Sequence, residues 1–165
     1  MYNGAMINIR RAKNSDSREL GELFEEADIL HRRALPQVFQ KPQDAKWYEK
    51  YLEKIFSDKN AALLVAEEEG ELVGLVLVWV RQSANIPILV PRKFAVMENL
   101  VVKKEFRKKG IGRQLVEAAE EWIKKEGANL IELNVWEFNQ GARDFYEKLG
   151  YQTVSRKMQK LLGEG

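Results

Sequence analysis

Apolar and polar positions change period several times along the chain, and each change marks a predicted strand or helix. Residues 7–9 alternate apolar and polar, which is typical of a half-buried strand. Residues 20–30 keep helical spacing, and Asp16 and Glu19 before them have the spacing of a capping box at the start of a helix. Residues 47–56 predict a second helix with a strongly aromatic face.

The middle of the chain predicts a β-hairpin followed by a loop. Residues 61–67 and 72–80 are rich in β-branched and aliphatic side chains, and the acidic turn 68–71 between them holds Gly70 where a positive φ is expected. The second of these strands is apolar on both faces, as a central strand should be. Residues 81–92 contain two prolines and predict a loop.

A strand, a basic loop and a helix follow in direct succession. Residues 97–102 form an apolar run, residues 103–109 are mostly charged, and Gly110-Ile111-Gly112 leads into an amphipathic helix. This order directs backbone N–H groups and the positive end of the helix dipole at one place, and glycine lets an anion approach closely. The segment predicts a phosphate site; a solvated run of charges is the alternative reading.

The remaining segments complete a mixed α/β domain. Residues 130–136 predict a strand, a helix begins at Asn139 or Gln140 and runs to Leu149, and residues 151–161 predict a last strand. The predicted order is therefore β-α-α-β-β-β-α-β-α-β, a mixed sheet with a crossover helix after the fourth strand. We expect one domain over residues 1–165.

Composition narrows the classes of protein. The 165 residues carry a net charge of +2, too small by itself to indicate nucleic acid as a partner, and no apolar run is long enough to span a membrane. The absence of cysteine excludes disulfides, thiolate metal sites and a cysteine nucleophile. With no secretory signal in the first residues, the expected location is cytoplasmic.

Two local motifs carry a family resemblance. The loop has neither the Gly-Lys-Ser/Thr of a Walker A motif nor the third glycine of a dinucleotide fingerprint. Arg107-x-x-Gly110-x-Gly112 instead resembles the pyrophosphate-binding motif [Q/R]-x-x-G-x-[G/A] of the GNAT superfamily of acetyl-CoA-dependent N-acetyltransferases. The segment from Asn139 to Tyr151, with Ala142 and Phe-Tyr-Glu-Lys, is similar to that family's N-x-x-A-x-x-F-Y-E-K-x-G-F/Y motif.

The resemblance implies a GNAT-like acyl-CoA N-acyltransferase fold and a reaction. The acetyl group of acetyl-CoA would pass to a primary amine of a small molecule or peptide by direct attack in a ternary complex, with CoA as the product and no metal. No nucleic acid or membrane partner is expected, and a homodimer is an open alternative. The implied cofactor-binding residues are Leu100, Val101, Val102, Arg107, Lys108, Lys109, Gly110, Ile111, Gly112, Arg113, Asn139, Ala142 and Tyr146.

Roles within that reaction are implied residue by residue. The Leu100 N–H would stabilise the oxyanion, Val101 and Val102 would pair with the pantetheine arm, and Tyr146 would protonate the leaving thiolate. Glu98, the only acid on its apolar strand, lies two residues before Leu100, so both side chains should share a face and Glu98 is the candidate base. The alternatives are a core tyrosine for Tyr146 and a substrate-orienting or solvated carboxylate for Glu98.

Candidates for the acceptor side are weaker. His31, Trp79 and Trp136 are the substrate-contacting candidates, with a surface or helix-end histidine as the alternative for His31. The aromatic face of the second helix favours core or dimer packing over ligand binding. Two rival functions stay open at this point: a catalytically silent acyl-CoA-binding sensor or interaction module, and a nucleic-acid-binding domain using the basic loop.

Overall fold

A computed structural model describes residues 6–163 as two compact units, one ending at Asn134 and the other beginning at Val135. Single-turn 3₁₀ helices cover Asn14–Asp16 and Lys104–Phe106. No described helix is long and apolar enough to cross a membrane. The first unit holds β1 (Asn8–Arg11), α1 (Ser17–Ala34), α2 (Trp47–Ser57), β2 (Ala61–Glu68), β3 (Glu71–Gln82), β4 (Lys93–Val102), α3 (Ile111–Lys125) and β5 (Ile131–Leu133), and the second holds α4 (Gln140–Lys148).

The five strands form one mixed sheet in the order β1-β2-β3-β4-β5. The first four are antiparallel neighbours, and β5 runs parallel to β4 because α3 carries the chain back across the sheet. Between β2 and β3, Glu69 (φ +50°) and Gly70 (φ +84°) both adopt left-handed conformations, as a two-residue hairpin turn requires. The prediction of a mixed α/β sheet with a central hairpin is confirmed.

Helices cover both faces of the sheet. Leu20 and Leu23 of α1 have no exposed surface, and burying each contributes about 1.5–3 kcal/mol. The opposite face packs on α3, where a Cβ built on Gly74 of β3 would lie 3.1 Å from a Leu115 methyl carbon. The core between α1, α2 and the sheet includes Phe24, Leu52, Ile55, Leu63, Val65, Leu75, Leu77, Trp79 and Val101.

The last predicted strand is wrong. Residues 151–163 have no regular secondary structure, and the exposed fractions of Val154, Met158 and Leu161 are 89%, 89% and 95%. An apolar pattern becomes a strand only when a neighbouring strand offers hydrogen bonds, and none of the described strands pairs with this segment. For the same reason β5 has three residues rather than seven, since it pairs with only three residues of β4.

The predicted capping box at the start of α1 is also absent. The Asp16 carboxylate accepts hydrogen bonds from the Arg10 guanidinium at 2.8 and 3.0 Å and from the Lys13 N–H at 2.7 Å. Glu19 accepts from the Leu72 N–H of β3 at 2.9 Å. Asp16 therefore links the start of α1 to Arg10 of β1 and to the backbone just before the helix, while Glu19 links α1 to β3.

Candidate active site

Strand β4 contains a bulge at its centre. Leu77 of β3 lies opposite Asn99, but the next residue, Val78, lies opposite Met97, so Glu98 is an extra residue without a partner across the ladder. A bulge of this kind bends the strand and redirects the side chain of the extra residue. The sheet therefore changes direction at Glu98.

The bulge makes the predicted shared face of Glu98 and Leu100 wrong. Leu100 lies opposite Val76, which is on the α3 side of the sheet together with Gly74. Glu98 points to the other side, where its Oε2 lies 3.4 Å from the Tyr51 hydroxyl of α2. One inserted residue shifts the two-residue alternation, so the two side chains end on opposite faces.

Two donors hold the Glu98 carboxylate. The Tyr51 hydroxyl donates to Oε2, and the Arg81 guanidinium donates to Oε1 at 3.2 Å while lying 5.7 Å from the centre of the Trp79 ring. Burial, together with the charge of Glu98, raises the pKa of Tyr51 far above the ordinary phenol range. Tyr51 therefore keeps its proton, and the Glu98 carboxyl group is held by two donors rather than freely solvated.

Beyond the bulge, β4 has a strand neighbour on one edge only. β5 pairs with Ala95, Val96 and Met97, and no described strand continues that ladder along residues 98–102. We call residues 98–102 the open edge. The Val101 side chain is buried in the core, so what the open edge presents is mainly backbone N–H and C=O groups.

The basic loop after the open edge is shaped by two left-handed residues. Lys108 has φ +62° and Gly110 has φ +81°, and α3 begins directly afterwards. The first hydrogen bond of the helix runs from the Gln114 N–H to the Gly110 carbonyl at 3.1 Å, and no side chain caps the helix. The amides of residues 111–113 therefore lie ahead of the first helical bond and can bind an anion.

The basic side chains of the loop have distinct positions. The Lys109 ammonium lies 4.8 Å from the centre of the Phe106 ring, and Arg113 is 4.0 Å from Glu117 one turn along α3. Arg107 turns back toward the sheet, where its Nε donates to the Val102 carbonyl at 2.8 Å. Its Nη2 donates to Glu26 of α1 at 3.1 Å, so Arg107 is already held by two protein partners.

On the α1–α2 side, a cavity of about 320 Å³ combines charged and aromatic walls. Asp28, Asp44 and Arg32 supply the charges, and Phe39 and Trp47 the rings. Trp47 stacks on Tyr51 with 6.2 Å between ring centres, and Tyr51 contacts Glu98. The cavity is thus connected to the bulge through two packed aromatic rings.

The acceptor-side candidates of this unit lie in ordinary structural positions. His31 is in the last turn of α1, with Nδ1 2.8 Å from the Ala27 carbonyl and its ring 5.3 Å from that of Phe39. This position matches the helix-end alternative. Trp79 is only 6% exposed and packs in the core, although no described residue accepts a hydrogen bond from its indole N–H.

The second unit carries the other candidates. Asn139 caps α4, with its Oδ1 accepting from the Ala142 N–H at 3.1 Å. Tyr146 lies on α4 with its ring 5.3 Å from Phe145 and 5.5 Å from Tyr151, and burial raises its pKa to about 12. Trp136 is 41% exposed before the helix begins. The predicted helix at residues 139–149 is confirmed.

Comparison with known proteins decides the family. The family model described as "Acetyltransferase (GNAT) family" matches residues 24–151. The chain belongs to the GNAT acetyltransferase family. The recognition drawn from two short motifs is therefore confirmed, and with it the prediction of an acyltransferase-type enzyme.

Individual relatives of this GNAT protein agree over nearly its whole length. An uncharacterized N-acetyltransferase of Bacillus subtilis, YhfO, is 28% identical over 146 residues, which are 88% of this chain and 90% of YhfO. The structure of a tetramutant of the BH1408 protein of Bacillus halodurans superposes with a TM-score of 0.87 at 25% identity, covering 94% of this chain and 99% of that one.

A more distant structure shows the same fold. It is the aminoglycoside N-acetyltransferase AAC(6')-Iy in complex with CoA, with a TM-score of 0.75, 18% identity and 98% of both chains covered. The predicted GNAT-like fold is confirmed by these superpositions.

Three residues near the candidate site were not singled out by sequence reasoning: Glu26, Tyr51 as a partner of Glu98, and Arg81. Arg81 falls in the predicted loop at residues 81–92, and the local pattern gives Glu26 no role. Each of the three is linked to the candidate site only by a contact with a residue that lies 17 to 81 positions away in the sequence. The only local signal for a functional role was the charge of Arg81 directly after the apolar run 72–80.

Proposed function

We propose that this GNAT protein transfers the acetyl group of acetyl-CoA to a primary amine by direct attack in a ternary complex, with the whole chain acting as one N-acetyltransferase domain. The observation that carries the proposal is the continuity of the open edge of β4 with the uncapped start of α3. A strand edge without a partner can pair with the amides of a pantetheine arm, and uncapped helix amides can bind a pyrophosphate.

The cofactor contacts follow from that continuity. Leu100, Val101 and Val102 would bind the pantetheine arm through their backbone, and the amides of residues 108–113 would hold the pyrophosphate. A helix N-terminus contributes about 0.3–1 kcal/mol per anionic group. Lys108, Lys109 and Arg113 add positive charge around the site. In the second unit, Asn139 and Ala142 carry the family motif and are assigned to the cofactor on that resemblance.

The proposed reaction needs a base, an oxyanion donor and an acid. Glu98 accepts a proton from the ammonium form of the acceptor, directly or through water, and the amine nitrogen then attacks the thioester carbonyl. The Leu100 N–H donates to the carbonyl oxygen as negative charge develops there. As the C–S bond breaks, the nitrogen releases its second proton to solvent and becomes the amide nitrogen. The family motif assigns to Tyr146, in the second unit, the proton that the thiolate takes up, and the phenolate is then reprotonated from solvent. A phenol with a pKa of about 12 is protonated at neutral pH.

The proposed acceptor is a primary amine of a small molecule or peptide. An acceptor that carries a second positive charge should bind better than one with a single charge. Asp28 and Asp44 line the cavity connected to Glu98 through Trp47 and Tyr51. Carboxylates beside aromatic rings suit a second ammonium group on the acceptor. The structure of an aminoglycoside N-acetyltransferase with the same fold provides one precedent for an amine acceptor.

Calorimetric titration with acetyl-CoA and with CoA tests the proposal, using wild type, Gly110→Glu and Gly70→Glu. Both glycines have positive φ and open space around them, so the two substitutions strain the backbone alike. Only Gly110→Glu places a carboxylate at the proposed pyrophosphate site. We expect micromolar binding to wild type and Gly70→Glu, and none to Gly110→Glu.

An amine panel with thiol detection follows the titration. Turnover of a cationic primary amine supports the enzyme reading and identifies the acceptor class. Binding of CoA without turnover of any amine would favour the silent sensor or interaction module instead. No CoA binding to wild type would refute the acetyltransferase proposal.

A further inference from the structure

Glu26 and Arg107 join three separate segments of the first unit. Glu26 Oε1, on α1, accepts one hydrogen bond from the Lys104 N–H and another from Arg107 Nη2, each at 3.1 Å. Arg107 Nε reaches the Val102 carbonyl at the end of β4 at 2.8 Å. One carboxylate and one guanidinium therefore fix the basic loop to a helix and to the open edge at once.

The charges argue against a simple role in attracting an anion. Lys103, Lys104, Arg107, Lys108 and Lys109 make the loop strongly basic. A carboxylate in direct contact with Arg107 cancels part of that charge beside the proposed pyrophosphate site. The guanidinium also directs two of its donors at protein oxygens, where they cannot serve a phosphate.

The backbone of the loop explains what such contacts can do. Lys108 is a non-glycine residue at φ +62°, a conformation that persists only when the surroundings hold it. Arg107 directly precedes this residue, and Glu26 of α1 accepts hydrogen bonds from both the Lys104 amide and the Arg107 side chain. The contact is suited to holding the loop in the shape that presents its amides.

We propose that Arg107 is a positioning residue rather than a phosphate ligand, and that Glu26 is the partner through which it acts. The pair keeps the basic loop preorganised for the anion. This role rests on the proposed CoA site and differs from the direct charge contact that the motif alone implies for Arg107.

The sign of one substitution separates the two roles. If Arg107 binds phosphate directly, Glu26→Gln removes a competing negative charge, frees the guanidinium and should tighten CoA binding. If Arg107 positions the loop, the same change should weaken CoA binding by about 3- to 10-fold, since it loosens hydrogen bonds to a charged group. The double variant Glu26→Gln/Arg107→Gln should then bind no more weakly than Arg107→Gln alone.

Glu22→Gln is the matched control. Glu22 is one turn earlier on α1 and is paired with Arg18 at 3.2 Å in solvent, away from the loop. The substitution Glu22→Gln removes the same charge from the same helix and leaves the contacts of Arg107 unchanged. Melting temperatures of both variants should stay close to wild type, because half-exposed ion pairs contribute little to stability.

A second measurement needs no cofactor. Hydrogen exchange of the Lys104 amide in the ligand-free protein should become several-fold faster in Glu26→Gln and remain unchanged in Glu22→Gln. Faster exchange together with weaker CoA binding supports the positioning role. Unchanged exchange, or CoA binding that is unaltered or tighter, overturns it. If wild type fails to bind CoA, the proposed function fails, while Lys104 exchange still decides whether Glu26 holds the loop.

Discussion

Replacing Gly74 by alanine should damage stability and cofactor binding together. The added Cβ would lie 2.8 Å from the Val101 carbonyl oxygen, 3.1 Å from a Leu115 methyl carbon and 3.4 Å from a Val102 methyl carbon. Leu115 has no exposed surface and the carbonyl is part of the β3–β4 ladder, so neither can simply rotate away. The methyl group must therefore push the end of β4 away from β3.

The magnitude follows from two opposing effects. Overpacking a tight site costs about 1–3 kcal/mol. Replacing glycine by alanine also reduces the entropy of the unfolded chain, which stabilises the folded protein by about 0.4–1 kcal/mol. We expect the free energy of unfolding to fall by about 1–2 kcal/mol. Because Val101 and Val102 are the residues displaced, the Kd for CoA should rise as well.

Urea denaturation followed by tryptophan fluorescence measures the first effect, and calorimetry measures the second. Gly21→Ala is the control, because its Cβ would meet only Tyr48 Cβ at an ordinary 3.7 Å on helix α1. That variant should be as stable as wild type or more so, since alanine favours a helix. A Gly74→Ala protein with unchanged unfolding and CoA affinity would refute the close packing of β3, β4 and α3.

Three further predictions concern chemistry and pH. Tyr146→Phe should lower kcat by roughly 10²–10⁴, as measured by thiol release; an unchanged kcat would remove Tyr146 from the mechanism. Glu98→Gln should move the pH profile of kcat/KM toward higher pH, and an identical profile would show that Glu98 is not the base. The hydrogen bond from Arg10 lowers the pKa of Asp16 below its usual 3.8, so this contact stabilises the protein above about pH 4 and is lost as the pH falls through the folded-state pKa. Asp16→Asn should therefore cost about 1–3 kcal/mol at neutral pH, and the difference in urea midpoint from wild type should shrink as the pH falls below about 4; a constant difference would contradict this assignment.

The local sequence was sufficient to predict those turns, loops and helix ends whose conformation depends on residues only a few positions apart. The loop from Arg107 to Gly112 was predicted correctly because glycine and the start of an amphipathic helix act within a few residues. Gly70, Gly127 and Gly150 all have positive φ for the same local reason. The helix at residues 140–148 also matches its prediction, since Asn139 supplies its cap from within the motif.

Long-range partners account for what the sequence could not predict. The bulge at Glu98 depends on the register between β3 and β4, and strict alternation therefore assigned Glu98 to the wrong face. The hydrogen bond from Arg107 to Glu26 joins residues 81 positions apart and leaves no trace in the local pattern. The strand predicted over residues 151–161 lacks a neighbour for its backbone, which no property of the segment itself reveals.

The open edge of β4 has a further consequence for solubility. Exposed strand edges invite other chains to add as extra strands, which leads to aggregation. Here the edge is only five residues long and is bent by the bulge at Glu98. At its end, the Val102 carbonyl already accepts a hydrogen bond from the Arg107 guanidinium. A bent, short edge beside a charged side chain disfavours pairing with a long foreign strand and still leaves room for a ligand with a few amide groups. The same features that prepare a ligand site can thus protect the protein from self-association.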